Sequence, residues 1–156
     1  MAKRFFILCL LAIATFQSCK KEEDTDDFVT MNISGTAWQS SESQSLINRT
    51  SQLLSVTANN GKGVLTITIP GADSVGTFNL VLSDGTPGLT FLDKIRSTTK
   101  LYSISNSFTK SHGTLSISKI NSGNNSSFFA EGTFSGVAYY SSTDSIVITN
   151  GTFQEI

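Results

Sequence analysis

Few side chains in this 156-residue sequence have the chemistry of a catalyst. His112 is the only histidine, and an imidazole can act as a general base near neutral pH. Glu42 and Glu131 could act together in glycoside hydrolysis if the fold held their carboxyl groups about 5–10 Å apart. A histidine in a Lys-Ser-His-Gly turn is more often an exposed loop residue, and the two glutamates are more often solvated strand residues. We therefore expect no catalytic residue in this chain.

The composition also argues against metal, cofactor and nucleic-acid sites. One His and two Cys are too few for histidine- or thiolate-based metal sites. Residues 24–27 (Asp-Thr-Asp-Asp) imitate the start of a calcium loop but lack its glycine and its terminal glutamate. A formal net charge of −1 provides no basic surface for phosphates. We expect no metal, no cofactor and no nucleic-acid partner.

The first 18 residues have the features of a secretory signal peptide. Lys3 and Arg4 precede an uncharged stretch, residues 5–16, which is shorter than the roughly 17–25 residues of a membrane span. The stretch ends in Thr15-Phe16-Gln17-Ser18-Cys19, which resembles the lipobox of bacterial lipoproteins. The resemblance implies removal of residues 1–18 and attachment of diacylglyceryl and fatty-acyl groups, such as palmitate, to Cys19. The alternative is an ordinary signal peptide that is cleaved after Ala14.

A charged segment, residues 19–27, follows the cleavage point. Its order, Lys20 and Lys21 and then Glu22, Glu23 and Asp24, resembles the surface-export signal of Bacteroidota lipoproteins. The resemblance implies an outer-membrane lipoprotein whose lipid anchor holds it on the cell exterior. The alternative is that the segment is only a solvated linker.

Residues 28–156 show the period-two alternation of antiparallel strands. Residues 65–69 (Leu-Thr-Ile-Thr-Ile) are one example, and Ser34-Gly35 and Asn59-Asn60-Gly61 have the composition of tight turns. The 24 Ser and 19 Thr are suited to the solvent face of a sheet. We predict a single all-β antiparallel domain of about eight or nine strands, folded as a β-sandwich or as a flattened up-and-down β-barrel.

Two predictions concern the core of this domain. Trp38, the only tryptophan, is expected to be buried against the aromatic strand of residues 128–140. Asn150-Gly151 is expected to form a β-bulge that changes the alternation and returns Phe153 to the core face.

Two tripeptides could be modification sites. Asp73-Ser74-Val75 and Asp144-Ser145-Ile146 resemble the short O-glycosylation sites of the same bacterial group, which implies modification of Ser74 and Ser145. In a chain this rich in Ser and Thr, with seven Asp, chance alone would supply about one such match.

Three segments, residues 29–38, 132–136 and 148–153, resemble a family of small, uncharacterised Bacteroidota lipoproteins. Their shared features are turns and core aromatic residues, so the resemblance implies a fold and a location and carries no activity. No functional residue follows from it.

Two classes of function remain. We expect a surface-exposed outer-membrane lipoprotein that is a non-enzymatic binding or envelope-interaction module. Its partner would be a glycan, another envelope protein or a small apolar ligand, and solvent-facing Phe129 and Tyr139 would support contact with a glycan or a protein. The alternative is a small hydrolase that acts on glycans through its carboxylates or His112.

Overall fold

The computed structural model describes residues 28–48, 50–94, 98–122 and 127–154. These residues contain eleven β-strands and no helix. The strands are β1 (Phe28–Ile33), β2 (Thr36–Gln39), β3 (Glu42–Asn48), β4 (Leu53–Asn59), β5 (Gly63–Pro70), β6 (Gly76–Asn79), β7 (Leu89–Asp93), β8 (Lys100–Ile104), β9 (His112–Ser122), β10 (Ser127–Ser141) and β11 (Asp144–Gln154). The predictions for residues 1–27, including Cys19 and the charged segment, lie outside the described residues.

All eleven strands belong to one antiparallel sheet, which confirms the prediction of a single all-β domain. The strand count exceeds the expected eight or nine because several elements are short or weakly patterned. β3 carries only two aliphatic residues, which are adjacent in sequence, and β7 has only five residues.

The 15-residue strand β10 joins two portions of the sheet. A five-stranded portion has the order β3-β4-β5-β7-β8, and a six-stranded portion has the order β2-β1-β11-β10-β9-β6. Near its start β10 pairs with β3 (Phe128 with Ile47), and near its end Tyr139 pairs with Ser103 on β8. β10 therefore bonds to both outer strands of the five-stranded portion.

The core lies between the two portions, as the contacts of Trp38 show. Trp38 on β2 is 6% exposed, which confirms its predicted burial. Its ring meets Phe91 on β7, with the centroids 5.8 Å apart and the planes at 90°. The aromatic partner of Trp38 is thus Phe91 on β7, whereas the prediction placed Trp38 against the strand of residues 128–140. β10 and β2 belong to the same portion of the sheet, so a side chain that points inward from β2 reaches the opposite portion.

Gly63 on β5 makes room for this aromatic pair. A Cβ atom at Gly63 would lie 2.6 Å from Phe91 Cζ and 3.2 Å from Trp38 Nε1. The Trp38 Nε1 atom is itself buried and has no hydrogen-bond partner within the described part of the chain. The pair is therefore held by packing and burial.

The predicted bulge in β11 is confirmed. Asn150 has a φ of 51°, and the register between β1 and β11 shifts between Thr30 and Asn32, opposite this point. Ile148 before the bulge and Phe153 after it are both 1% exposed. The extra residue thus allows side chains on both sides of the bulge, Ile148 and Phe153, to point into the core.

Candidate functional site

The pairing of β10 with two of its neighbours is interrupted near the middle of the strand. Its register with β9 shifts between Glu131 and Ser135, and its register with β11 shifts between Phe134 and Gly136. A Cβ atom at Gly136 would lie 2.5 Å from the His112 carbonyl oxygen, so only glycine allows this close approach of β9 and β10. Because bulges bend a strand and increase its twist, we expect β10 to bend here.

An open groove of about 600 Å³ lies at this part of β10 and crosses four neighbouring strands, β6, β9, β10 and β11. We call it the cross-strand groove. It is lined by Thr77, Phe78, Asn79, His112, Gly113, Thr114, Ser135, Gly136, Val137, Val147, Ile148 and Thr149.

One line of polar side chains runs along the groove at right angles to the strands. Asn79 pairs with Thr114, and Thr114 pairs with Ser135. Thr149 lies in the stretch of β11 between the partners of Phe134 and Gly136, so it is next to Ser135. Asn79, Thr114, Ser135 and Thr149, here called the polar row, are all exposed. Three strand spacings of about 4.8 Å give the row a length of about 14 Å.

Apolar atoms make up most of the groove surface beside the polar row. Val137 pairs with Val147, and Val147 is 46% exposed. His112 lines the same end of the groove, and its Nδ1 atom is 2.9 Å from the Lys110 carbonyl oxygen. Since a carbonyl only accepts hydrogen bonds, Nδ1 carries a proton, and in the neutral ring Nε2 is the acceptor. The groove therefore offers hydroxyls, an amide, an imidazole and methyl groups.

The lining of the groove is uncharged. None of its twelve residues is Asp, Glu, Lys or Arg. Hydroxyl and amide groups both donate and accept hydrogen bonds, so this lining can pair with a ligand that also does both.

The structure does not bring His112 together with the two glutamates in one cavity. Glu131 pairs with Lys119, seven residues beyond His112 along β9, which corresponds to about 23 Å of extended strand. Glu42 lines a separate cavity of about 230 Å³ on β3, β4 and β5. Neither carboxylate lines the cross-strand groove.

Glu131 already has partners on its own face of the sheet. Its Oε1 atom accepts hydrogen bonds from Lys119 Nζ and Asn121 Nδ2, each at 2.9 Å. The bond from Lys119 is the main cause that lowers the pKa of the Glu131 carboxyl below its usual value. A general acid of a glycosidase needs the opposite shift.

The aromatic residues expected to face solvent are partly covered. Phe129 and Tyr139 are both half-buried, and the Phe108 ring stacks on Tyr139 with centroids 5.5 Å apart. Tyr140, the next residue of β10, is 49% exposed. Its ring lies near the end of β10, 6.1 Å from the Tyr102 ring. Alternation along β10 could not show that Phe108, from the β8–β9 connection, covers Tyr139.

Both proposed modification sites are accessible. Ser74 is exposed in the β5–β6 connection, and Ser145 is exposed on β11. The neighbouring Asp144 accepts hydrogen bonds from Lys100 Nζ at 2.5 Å and from Tyr102 Oη at 3.1 Å. Exposure permits modification of either serine.

Within residues 28–48, 50–94, 98–122 and 127–154, no three His, Cys, Asp or Glu side chains form a group that could hold a metal ion. Those residues also include no helical segment with the length and hydropathy that a membrane span requires.

The sequence did not reveal the cross-strand groove. Its Ser and Thr residues were assigned to a solvated face, and nothing local in the sequence shows that Asn79, Thr114, Ser135 and Thr149 form one line. The sequence features that could have indicated the groove are the glycines of β9, β10 and β11, which allow bulges and close approach of neighbouring strands.

A family model described as a domain of unknown function (DUF6252) matches residues 26–156. This segment includes all eleven strands. A comparison with curated proteins and a comparison with solved structures each gave no match.

Proposed function

The chain belongs to the DUF6252 family, and we propose that it is a non-enzymatic binding module held on the outer surface of the outer membrane by a lipid on Cys19. The observation that carries the binding role is the cross-strand groove. It is open, it has an uncharged lining with many hydrogen-bonding groups, and it contains no carboxylate to assist His112.

Binding is favoured over hydrolysis because the groove lacks a pair of acid and base groups. In most glycoside hydrolases two carboxyl groups flank the bond that is cleaved. Among the twelve described lining residues His112 is the only titratable side chain, and its Nδ1 atom donates a hydrogen bond to the Lys110 carbonyl oxygen. A hydroxyl nucleophile would need that imidazole as its hydrogen-bonded base.

The anchor is supported by the lipobox resemblance at Cys19 and by the order of charges from Lys20 to Asp24. The family match begins at residue 26, after these features. One acyl chain gives only marginal membrane binding, whereas two or three make attachment durable. The nine residue-to-residue steps from Cys19 to Phe28 span at most about 30 Å, so the domain would stay close to the membrane.

The test uses the detergent-solubilised full chain with polysaccharide and protein fractions of the bacterial envelope immobilised separately. Ser135→Trp should block the groove and abolish retention on one fraction. Thr57→Trp, at an exposed strand position on β4 outside the groove, is the matched control and should leave retention unchanged. Equal retention of both variants and wild type on every fraction would contradict the binding role of the groove.

The same samples are assayed for newly released reducing sugars. We expect none in the presence of any glycan fraction. If the wild type releases reducing sugars and His112→Ala does not, the hydrolase alternative is established instead.

A further inference from the structure

We propose that the ligand of the cross-strand groove is an uncharged linear polysaccharide that lies across the strands, along the polar row. This inference rests on the proposed binding function and specifies the chemical class and the orientation of the ligand.

The chemistry of the lining selects an uncharged ligand. An anionic polysaccharide would find no Lys or Arg among the twelve lining residues, and a basic peptide would find no carboxylate. Sugar hydroxyls both donate and accept hydrogen bonds, as do the Asn, Ser and Thr side chains of the polar row. The methyl groups of Val137 and Val147 lie beside this row and can cover the C–H faces of sugar rings.

The groove is less suited to a protein partner. The centres of protein interfaces are enriched in Tyr, Trp, Phe, Met and Arg. Here the lining includes a single aromatic hydrocarbon ring, Phe78, and that ring packs partly against the core. Hydroxyls and short aliphatic groups make up most of the remaining lining.

The register of the strands indicates an elongated ligand. The polar row continues beyond Thr149, because Asn32 on β1 pairs with Thr149. Asn32 and Asn150 line a second cavity of about 290 Å³, which also includes Gln39 on β2. From Asn79 to Asn32 there are four strand spacings, about 19 Å in total. Hydrogen-bonding groups that recur at every strand along this line match a polymer with repeated hydroxyls.

The inference is tested with the full chain in detergent and with unbranched neutral oligosaccharides of increasing length, prepared from dextran, mannan and β-glucan. Alginate and polygalacturonate fragments serve as anionic probes. Affinity is measured by calorimetry. At least one neutral series should bind, with an affinity that increases with chain length and then reaches a plateau once the row is covered. Binding of the monosaccharide as tightly as the longest chain would overturn the cross-strand orientation.

Variants locate the ligand on the polar row. Thr114→Val removes one hydroxyl with little change of shape and should weaken binding about three- to tenfold, the effect of one lost hydrogen bond. Asn32→Ala should weaken binding of long chains by a similar factor and leave short chains unchanged. Thr57→Val, on the other portion of the sheet, is the control and should have no effect. Thermal denaturation of each variant shows that the fold is retained.

The outcomes separate this inference from the proposed function. If only anionic fragments or a protein bind, and Ser135→Trp abolishes that binding, the uncharged-glycan inference is wrong while the binding function stands. If Ser135→Trp changes the binding of no probe and no envelope fraction, both are wrong. If neutral chains bind but Thr114→Val and Asn32→Ala have no effect at any length, the ligand does not follow the polar row.

Discussion

Trp38 and Phe91 meet edge to face across the core, one from each portion of the sheet. β2, which carries Trp38, pairs only with β1 among the described strands, so this contact ties an outer strand to the centre of the domain. Trp38→Ala should therefore lower the free energy of unfolding by about 3–5 kcal/mol. Chemical denaturation followed by circular dichroism measures this change.

Trp38→Phe should cost much less than Trp38→Ala. Trp38 Nε1 has no hydrogen-bond partner among the described residues, so the smaller ring loses volume and no hydrogen bond. Equal losses in the two variants would show that the indole nitrogen has a stabilising partner after all. Both variants are compared in the same denaturation experiment.

Gly63→Ala should destabilise the domain by about 1–3 kcal/mol, because the added methyl group would overlap the Phe91 ring. Gly76→Ala is the matched control on β6. Its nearest neighbour would be the Phe78 ring at 3.8 Å, an ordinary contact, and its φ is not positive. The difference between the two melting temperatures isolates the overlap, and similar values for both would contradict the packing at Gly63.

Glu131 should contribute a small acid-sensitive part of the stability. Its pKa in the folded chain is lowered by Lys119, so the contribution is present above the ordinary pKa of 4.5 and is lost as the pH falls through the lowered value. Because Lys119 is 59% exposed, the pair is screened and worth at most about 1 kcal/mol. Glu131→Gln and Lys119→Met should each flatten the stability profile below pH 4.5, and an unchanged profile would argue against the pair.

Cys19→Ala should abolish lipid attachment and release the protein in soluble form. Phase partitioning with detergent measures this for the mutant and the wild type. A mutant that remains in the detergent phase would rule out Cys19 as the lipid site.

Replacement of Glu22, Glu23 and Asp24 by Ser and Gly preserves the reach and flexibility of the linker. If the acidic segment is an export signal, this variant should stay lipidated but remain on the inner leaflet of the outer membrane. Protease added to whole cells should then digest the wild type and spare the variant. Equal digestion of the wild type and the variant would show that the segment acts only as a linker.

Local features of the fold followed from the sequence, whereas relationships between distant strands did not. The bulge at Asn150-Gly151 was predictable because it depends on neighbouring residues and on the alternation that resumes at Phe153. The burial of Trp38 was predictable from its size, but its partner was not. Phe91 is 53 residues away in the chain, and only the strand order places it opposite.

The cross-strand groove could not be predicted for the same reason. Asn79, Thr114 and Ser135 form a line only because three strands pair in one particular register. A shift of one residue in any strand would turn its side chain toward the core. Single-sequence alternation identifies the exposed face of each strand, but it does not say which residues on neighbouring strands lie side by side.

The pairing of β1 with β11 has a consequence for biosynthesis. Phe28 pairs with Gln154, so the earliest strand of the domain cannot acquire its main partner until the ribosome has made the last one. Pairing between such distant segments is slow to form because a long loop must close first. During synthesis the edge of β1 that pairs with β11 therefore stays unpaired. This part of the sheet can form only after β11 has been synthesised.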